Sequence, residues 1–544
     1  MAEKETIVLP LKYYLDYFRF LIDFVKEKSG HLLGEVGEKF IIDFNALNED
    51  AQCLLIRMAN RKGEYFRLSK IAYQEIENIG AATDALIDSS FVTIEPPHDP
   101  KLFKLFTKGE LDALFPERGI KLKKKEEILF ELAEESDHYE YQKIQSLDTI
   151  LALLRQEEIE FLKLLFFGHS HAMMTEFVIR DIGNVKLENL DGHEFTPWFN
   201  SHEEAKAVFE LSKINRAVYE FIQIGLPENL LELINPINWS TLIDFPNARK
   251  QGDRLMLRLG EYFEKTGYLE DALTYYALAK KHPCRERQIR IFQKLGRMEE
   301  ALGLAEHVFN TPFNASEKIF AKDYIAKTGA RNLRSTTTRI KNSNEISVVG
   351  AGSKRVEEKA LDHFSALGYE GIHSENYLWR AIFGLLFWNE LFDSNLAAFH
   401  HPLQRAPSDL YSTGFYEARK EYLNDKIKSF HSKKQLLAHL KKTYNEKENI
   451  SNPLVSWHEF SLPAISACIP FLPLAGLKKV MLEIAKNVKD NSTGFPDLFI
   501  WNATSYHFYE IKSPNDHLSS QQLFWLDFFE ENQIKSDILR VNYH

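Results

Sequence analysis

Cysteine is scarce in this chain, and its scarcity excludes several kinds of site. The 544 residues contain only Cys53, Cys284 and Cys468, which are far apart in sequence. They are too few for a disulfide framework, and their spacing fits neither a zinc finger nor an iron–sulfur cluster. A metal site in this chain should therefore be built from oxygen ligands.

The chain also lacks long apolar segments. No stretch approaches the roughly 20 apolar residues that a membrane span needs. The first ten residues, MAEKETIVLP, do not have the basic and apolar regions of a secretory signal. We therefore expect a soluble protein of the cytoplasm with no membrane partner.

An excess of positive charge is missing as well. The formal net charge is −11, which argues against wholesale coating of nucleic acid, because DNA-binding surfaces gain affinity by neutralising phosphates and releasing counterions. A DNA-binding protein of this composition must concentrate its Lys and Arg side chains locally.

What is present is enough apolar sequence for several domains. With 544 residues and 44% hydrophobic content, the chain exceeds the size at which single cores stop growing, so we expect about three or four domains. Helical apolar spacing runs from Lys12 to Leu132, which predicts an all-α region, and continues to about Ile237. We predict a multidomain protein with mainly α-helical N-terminal and middle regions and a C-terminal α/β domain. The predicted parts are residues 1–150, 151–330, a linker at 331–355, and 356–544.

The first part contains a basic helical hairpin. The segment LFTKGELDALFPERGIKLKKKEEILFEL predicts a short helix, a turn at Pro116 to Gly119, and a second helix, an SAP-like arrangement. The second helix is introduced by a basic run: Lys121, Lys123, Lys124 and Lys125. Two helices joined in this way could lay a basic edge along a phosphate backbone, although each lysine taken singly is more often a solvated surface charge.

A weak internal repeat lies in the second part. GEYFEKTGYLEDALTYYALAK is echoed by FQKLGRMEEALGLAEHVF, with Gly267 and Gly296 at the turns and Ala272 and Ala301 where paired helices approach closely. The pattern resembles tetratricopeptide-type repeats, which often brace a structure or bind a partner. An ordinary helical hairpin within a larger core is an equally good interpretation.

A change of composition marks the predicted linker. Residues 328–354 are rich in Thr, Ser, Asn and Gly and include the basic residues Arg331, Arg334, Arg339 and Lys341. This composition predicts a solvated loop or linker, whose basic residues are candidates for phosphate contact. After it, we predict one long helical stretch from Val356 to Asp393.

The chemistry is concentrated in GFPDLFIWNATSYHFYEIKSPNDHLSSQQLFWLDFFEENQIKSDILRV. Asp497 precedes an apolar run, a turn follows, and residues 506–512 alternate, which together predict a β-hairpin. Glu510 and Lys512 are two residues apart and share one face, while Tyr509 and Ile511 point the other way. A loop, a helix beginning near Ser519 and a final apolar strand complete a compact α/β unit.

Two carboxylates on neighbouring strands, with a lysine beside them, can hold a hard cation such as Mg²⁺ or Mn²⁺. Such a cation activates water and neutralises charge on a phosphoryl oxygen. The lysine, Lys512, can orient the attacking water and screen the charge of the transition state. Asp497, Glu510 and Lys512 therefore predict a divalent-metal-dependent nuclease, although a bare E-x-K triplet alone is common among surface charges.

The segment resembles the VRR-NUC branch of the PD-(D/E)xK nucleases. The matching residues are Gly494, Pro496, Asp497, Leu498, Glu510, Ile511, Lys512, Pro514, Asn515, Asp516, Leu518, Ser519, Gln522 and Trp525. Within that branch the chain is most similar to the Fanconi-associated nuclease family. The similarity continues in GYEGIHSENYLWRAIFGLLFWNELF, IRMANRKGEYFRLSKIAYQEI and LFFGHSHAMMTEFVIRDIG, and so spans nearly the whole chain.

The resemblance implies specific roles, beginning with metal ligands at Glu375, Asp497, Glu510 and the backbone carbonyl of Ile511. Lys512 would be the catalytic lysine, and Gln522 would support the site. Without the resemblance, Glu375 reads as an ordinary carboxylate at a helix N-terminus. Residues 1–150 would hold DNA through Arg57, Arg61, Lys62 and the lysines of the basic hairpin, and 356–544 would be the VRR-NUC domain.

The family implies a substrate and some departures. Its members act as 5′-flap endonucleases with 5′-to-3′ exonuclease activity in interstrand crosslink repair, so branched or 5′-flap DNA is the expected partner, with the protein at the nucleoid during repair. Ser513 stands where the family often has Gly, which alters a loop without removing a ligand. Three dispersed cysteines exclude the ubiquitin-binding zinc finger of eukaryotic members, so ubiquitin-mediated recruitment is not expected in this bacterial-type chain.

Two alternatives remain at this stage. A Holliday-junction resolvase or restriction-type nuclease uses the same core, usually as a symmetric dimer, whereas a flap nuclease is expected to be a monomer making single incisions. A scaffold with an inert core would be expected to lack an acidic ligand or the lysine. All four polar positions, Glu375, Asp497, Glu510 and Lys512, are present.

Overall fold

The computed structural model describes residues 9–120, 123–135, 138–169, 174–183, 185–327, 334–348, 354–393, 395–458 and 461–543. Within these residues the chain is mainly helical, with two small sheets. It divides into two compact units. The first unit comprises the residues up to 183 with Thr196–Ser212, and the second comprises Val185–Phe195 with the residues from Lys213 onward. The mainly helical fold with a C-terminal α/β part is confirmed.

The first unit is a helical domain with one short sheet. Its helices are α1 (Tyr13–Ser29), α2 (Gly34–Ala46), α3 (Glu49–Ala59), α4 (Ile79–Asp88), α5 (Lys108–Leu114), α6 (Lys125–Glu135), α7 (His138–Leu147), α8 (Gln156–Phe167), α9 (Thr175–Asp181) and the start of α10 (His202–Ile224). Its strands are β1 (Tyr65–Arg67), β2 (Val92–Thr93) and β3 (Ile150–Leu153), which pair antiparallel in the order β1-β3-β2.

The prediction of an all-α region from Lys12 to Leu132 was therefore wrong in one respect. Strands β1 and β2 lie inside that region and are three and two residues long. Strands this short produce no visible alternation of apolar and polar residues, so periodicity cannot detect them. They form only because β3, which follows much later in the chain, pairs with both.

The helical hairpin of the first unit has the predicted order. Helix α5 begins with a capping box in which Thr107 and Glu110 bond each other's backbone. After α5 the chain turns through a short 3-10 helix, Pro116–Arg118, and Gly119, which is in the left-handed conformation. Helix α6 then begins at Lys125. Lys121, one member of the predicted basic run, lies outside the described residues.

The second unit opens with paired helices. They are α11 (Pro227–Ile234), α12 (Trp239–Ile243), α13 (Pro246–Thr266), α14 (Leu269–Leu278), α15 (Cys284–Lys294), α16 (Met298–Asn310), α17 (Ala315–Lys327) and α18 (Ser335–Lys341). The predicted turns fall at Gly267 and Gly296, both at positive φ. Ala272 and Ala301 are fully buried. The helix, glycine, helix pattern of the repeat is thus confirmed.

The rest of the second unit is the α/β part. Its elements are β4 (Asn344–Val348), α19 (Val356–Ala366), β5 (Glu370–His373), α20 (Glu375–Leu386), α21 (Trp388–Phe392), α22 (Phe415–Ser429), α23 (Lys433–Glu446), α24 (Ser461–Cys468), α25 (Leu474–Lys486), α26 (Val488–Asn491), β6 (Leu498–Trp501), β7 (Tyr506–Lys512), α27 (Ser520–Glu531) and β8 (Ser536–Tyr543). The sheet order is β4-β8-β7-β6-β5. Strands β4, β8 and β7 run parallel, and β6 pairs antiparallel with both β7 and β5.

Two predictions about this region need correction. The predicted linker at 331–355 contains α18 and β4, and β4 is an edge strand paired with β8. The predicted helix from Val356 to Asp393 is interrupted by β5, which pairs with β6. Both strands are short, largely exposed edge strands, so their sequences carry little apolar signal and their pairing comes from distant residues. The four-part division of the chain otherwise stays a prediction.

Helices cover both faces of this sheet. Helix α19 packs Ala360 and Phe364 against Ile511 and Leu539 on one face. Helices α20 and α27 pack Trp379, Trp525 and Phe529 against Phe508 on the other. Because side chains alternate along β7, Ile511 is buried under α19 while Glu510 and Lys512 point toward α20 and α27. Glu510 and Lys512 therefore form a buried polar pair between the sheet and the helices α20 and α27.

No helix in the described part of the chain has the length and apolar character required to cross a bilayer. The three cysteines are buried and form no disulfide.

Candidate active site

The hairpin of β6 and β7 brings Asp497 and Glu510 together. Leu498 pairs with Tyr509 across the antiparallel strands, which places Asp497 opposite Glu510. The Oδ2 atom of Asp497 accepts a hydrogen bond of 2.8 Å from the backbone N–H of Ile511. The predicted convergence of the two carboxylates is therefore a consequence of strand register.

Glu510, Lys512 and Gln522 form a connected buried group. The Nζ of Lys512 lies 2.8 Å from Oε1 of Glu510. Gln522, in the first turn of α27, donates from Nε2 to the same Oε1 at 2.6 Å and accepts from Lys512 Nζ at 3.2 Å. Glu510 is 1% exposed and Lys512 is 7% exposed. Gln522 thus bonds both charged groups, and its supporting role in the site stays a prediction.

The local environment raises the pKa of both carboxyls. Burial, with the nearby charges of Glu357 and Glu375, raises the pKa of Asp497 to about 6, against the lowering effect of the Ile511 N–H and Lys512. Burial and the charge of Asp497 raise the pKa of Glu510 to about 8, although Lys512 lowers it in part. Two buried carboxylates this close repel each other when ionised, and one ammonium does not neutralise both.

Glu375 stands at the start of α20, beside this pair. The backbone N–H groups of Ser374 and Glu375 both donate to the carbonyl oxygen of Asp497, at 2.7 and 3.1 Å. The Glu375 carboxylate is 48% exposed and lies 4.0 Å from Nε2 of His373. It is near enough to raise the pKa values of both Asp497 and Glu510. The structure therefore places Glu375 beside Asp497 and Glu510, and its role as a metal ligand stays a prediction.

Residues of this kind fit a divalent cation. The Oε2 atom of Glu510 is buried and has no hydrogen-bond partner, which is costly for a carboxylate unless a cation completes the site. The carboxylates of Asp497, Glu510 and Glu375 supply oxygen ligands, which Mg²⁺ and Mn²⁺ prefer. Within the described ranges, no three Asp, Glu, His or Cys side chains stand close enough to hold a metal as they are. The Glu375 side chain is about half exposed, so the three carboxylates must draw closer together when a metal binds.

The predicted DNA-binding residues lie in the first unit and differ in their surroundings. Arg57 forms an ion pair with Glu75 and stacks over the Tyr14 ring at 4.0 Å. It is therefore already occupied within the fold. Arg61 and Lys62 are exposed in the turn after α3.

The lysines of the basic hairpin also differ from one another. Lys123 pairs with Glu131 at 2.5 Å. Lys124 and Lys125 are exposed. The first unit thus keeps Arg61, Lys62, Lys124 and Lys125 accessible to a phosphate backbone.

Sequence reasoning missed a second group of cations, in the second unit. This group, the cationic cluster, consists of Lys250, Arg254, Lys281 and Lys489. Burial and the charges of Arg254 and Lys489 lower the pKa values of both Lys250 and Lys281. None of the four forms an ion pair with another described residue. Lys250 and Arg254 share a face of α13 at i, i+4 spacing, which was visible in the sequence, whereas Lys281 and Lys489 carry no local signal.

Comparison with known proteins agrees with this geometry. The family model of the VRR-NUC domain matches residues 431–543, and the model described as "FAN1, HTH domain" matches residues 12–93. The fold and the site define a DNA nuclease of the VRR-NUC class. Nucleases of this kind are in general metal-dependent.

Relatives extend the match to the full chain. A Fanconi-associated nuclease 1 homolog from Pseudomonas aeruginosa is 26% identical over 98% of this chain and 96% of its own length. The human Fanconi-associated nuclease 1 is 34% identical over 31% of this chain and 18% of its own length. A crystal structure of paFAN1 bound to 2-nt 5′-flap DNA with a gap superposes with a TM-score of 0.87 at 25% identity, covering 99% of both chains. The chain is therefore similar over nearly its whole length to Fanconi-associated nucleases.

Proposed function

We propose that this chain is a structure-specific DNA nuclease that cuts 5′ flaps and degrades DNA from 5′ to 3′ during interstrand crosslink repair. Its similarity to Fanconi-associated nucleases and its structural similarity to paFAN1, which has been crystallised with 5′-flap DNA carrying gaps, support this substrate. The observation that carries the chemistry is the unpartnered Oε2 of buried Glu510 beside Asp497. Such an atom, next to a second carboxylate, calls for a divalent cation.

Each residue of the site has a proposed part. Asp497, Glu510 and the backbone carbonyl of Ile511 would hold Mg²⁺ or Mn²⁺, and Glu375 would complete the ligand set. When bound, the cation would activate water and neutralise a phosphoryl oxygen. The carboxylates must be ionised to bind it, so protons compete with the metal.

Lys512 would act on the reacting groups. It is buried and pairs with Glu510 at 2.8 Å. A cation that takes over the charge of Glu510 would leave the Lys512 ammonium available to the attacking water and the phosphate. A preorganised cation in a site with little water stabilises the negative charge that develops in the transition state. Gln522 would hold the Lys512 ammonium and the Glu510 carboxylate next to each other through its two hydrogen bonds.

Phosphate contacts would come from both units. In the second unit the cationic cluster supports binding of the DNA backbone, because its members repel one another and no carboxylate of the described chain pairs with them. Phosphates would relieve that repulsion. In the first unit, Arg61, Lys62, Lys124 and Lys125 are the accessible candidates. We do not include Arg57 among these candidates, because it already forms an ion pair with Glu75. Its contact with DNA stays a prediction from the sequence.

The proposed function includes three further expectations. We propose that the protein acts at the nucleoid as a monomer, because a flap carries a single cleavable strand, and that it is recruited without ubiquitin. Sedimentation in the presence of flap DNA tests the monomeric state. A complex of two protein chains on one flap would contradict it.

Cleavage of defined DNA substrates tests the activity. End-labelled 5′-flap, 3′-flap, Holliday-junction and plain duplex DNA would be incubated in Mn²⁺ or Mg²⁺ with the wild type and with Asp497→Ala. We expect metal-dependent cutting near the 5′-flap junction, lost in the variant. Symmetric cuts in the junction would identify a resolvase, and an inactive wild type would favour a scaffold.

A further inference from the structure

Asn376, the second residue of α20, connects two parts of the site. Its Nδ2 donates to Oε1 of Glu375 at 3.1 Å. Its Oδ1 accepts from the backbone N–H of Phe495 at 3.2 Å. A backbone N–H can only donate, so this second bond fixes which end of the amide faces Phe495. The NH₂ group must therefore face the Glu375 carboxylate.

The backbone around Glu375 is also held tightly. Ser374 is fully buried, and its hydroxyl donates to the carbonyl oxygen of Pro496 at 3.2 Å. Glu375 has a φ of +25°, an unfavourable value for a residue with a side chain. Such conformations persist where neighbouring contacts enforce them, and they concentrate at functional sites. The chain thus keeps Glu375 at a defined place relative to the segment that leads into Asp497.

The carboxylate of Glu375 itself would be poorly fixed without Asn376. It is 48% exposed, and a solvated glutamate has several rotamers, which cost free energy to restrict when a metal binds. Asn376 reduces that cost by holding one carboxylate oxygen. It does so from a side chain that is itself tethered to Phe495, two residues before Asp497.

We propose that Asn376 is a positioning residue for metal binding, which sets the orientation of the Glu375 carboxylate relative to Asp497. This inference rests on the proposed function, in which Glu375 and Asp497 are ligands of the same cation. Asn376 does not contact the metal or the substrate. Residues that orient a metal ligand through a hydrogen bond commonly change metal affinity about 10- to 100-fold when replaced.

The test is the metal dependence of Asn376→Ala. We expect the Mn²⁺ concentration that gives half-maximal cleavage of 5′-flap DNA to rise about tenfold, with a rate at saturating Mn²⁺ close to that of the wild type. A residue that merely stabilises the loop would lower the melting temperature and leave the Mn²⁺ dependence unchanged. The matched control is Asn424→Ala, since Asn424 lies on α22 and bonds only the Lys420 carbonyl. Asn376→Leu, similar in size to Asn, replaces the alanine variant if that one does not fold.

A double-mutant cycle makes the result specific to Glu375. In a Glu375→Gln background, Asn376→Ala should have much less effect on Mn²⁺ affinity, measured by the rise in melting temperature with Mn²⁺, because the positioned carboxylate is gone. Equal effects in both backgrounds, or a wild-type Mn²⁺ dependence in Asn376→Ala, would overturn the inference.

Failure of the proposed function is distinguishable from failure of this inference. Wild-type protein that binds Mn²⁺ without cutting any DNA would refute the nuclease, and the melting-temperature titration would still decide the role of Asn376. Wild-type protein that binds no Mn²⁺ would refute both.

Discussion

At the scale of single residues, the site contains carboxylates whose charged forms are destabilised by burial and by their mutual repulsion. Glu510 is almost fully buried, one of its oxygens has no partner, and Asp497 lies opposite. The spacing of Asp497, Glu510 and Lys512 could be predicted from the sequence, because strand alternation and a short turn are local properties. The depth of burial could not, because it depends on α20 and α27.

The raised pKa values of these carboxyls predict how the free energy of unfolding changes with pH. The ordinary pKa values are 3.8 for Asp497 and 4.5 for Glu510, and the fold raises the two values to about 6 and about 8. At low pH both groups are protonated in the folded and the unfolded chain. Above about pH 4 the unfolded chain ionises first, so the free energy of unfolding of the metal-free protein should fall as pH rises toward 8 through these groups.

The measurement is the melting temperature at pH 6 and pH 8, with and without Mn²⁺. We expect Mn²⁺ to raise it more at pH 8, by roughly 2 °C of additional shift, because fewer protons compete for the carboxylates. In Glu510→Gln, whose side chain at this position cannot ionise, the rise in melting temperature caused by Mn²⁺ should be nearly the same at pH 6 and pH 8. An equal Mn²⁺ effect at pH 6 and pH 8 would show that these carboxyls are not the ones that bind the metal.

At the scale of elements, close approach decides how the helices of the second unit pair. Gly260 on α13 faces Tyr276 on α14, and a Cβ at Gly260 would lie 2.4 Å from the tyrosine ring. Tyr276 is fully buried, so its ring has little freedom to move away. The sequence showed the repeat, its turns and its alanines, but Gly260 drew no attention because a glycine within a helix carries no indication of its neighbour.

Two glycine substitutions in this region should have opposite effects. Gly260→Ala should lower the free energy of unfolding by about 1–3 kcal/mol, because the added methyl group overpacks the contact with Tyr276. Gly303→Ala, on α16, should raise it by about 0.5–1 kcal/mol, since nothing lies within 4 Å of the added Cβ and alanine favours the helix. Urea unfolding measures both.

The paired design separates packing from helix propensity. If Gly260→Ala stabilised the protein as Gly303→Ala is expected to, the close packing of α13 and α14 would be contradicted.

At the scale of the whole molecule, charge is distributed unevenly. The net charge is −11, yet the cationic cluster gathers positive side chains from α13, from the start of the second helix pair and from the segment before Asp497. Lys489 lies eight residues before Asp497 in the sequence, while Lys250 and Arg254 lie more than two hundred residues earlier. Their proximity comes only from the tertiary fold.

Removing this cluster should weaken DNA binding in a salt-dependent way. The triple variant Lys250→Gln, Arg254→Gln, Lys489→Gln should bind 5′-flap DNA more weakly, and its plot of log K against log salt should be shallower by about 2–3. The control is Lys420→Gln, Lys428→Gln, Lys442→Gln, which makes the same change of net charge at lysines paired within their own helices. Fluorescence anisotropy at several salt concentrations gives both slopes. Equal slopes for the two triple variants would exclude the cluster as a phosphate-binding surface.

The sequence by itself determined the class of the protein and the core of its site. The hairpin from Leu498 to Lys512, the capped helix after it and the last strand follow from alternation, turn residues and capping, which act within a few residues. Tertiary structure alone decided the rest: the edge strands β4 and β5, the short sheet of the first unit, the placement of Glu375 and Asn376 beside the segment from Phe495 to Asp497, and the meeting of Lys281 and Lys489 with Lys250 and Arg254. Each depends on partners far along the chain, and residues that meet only through long-range packing leave no periodic signal.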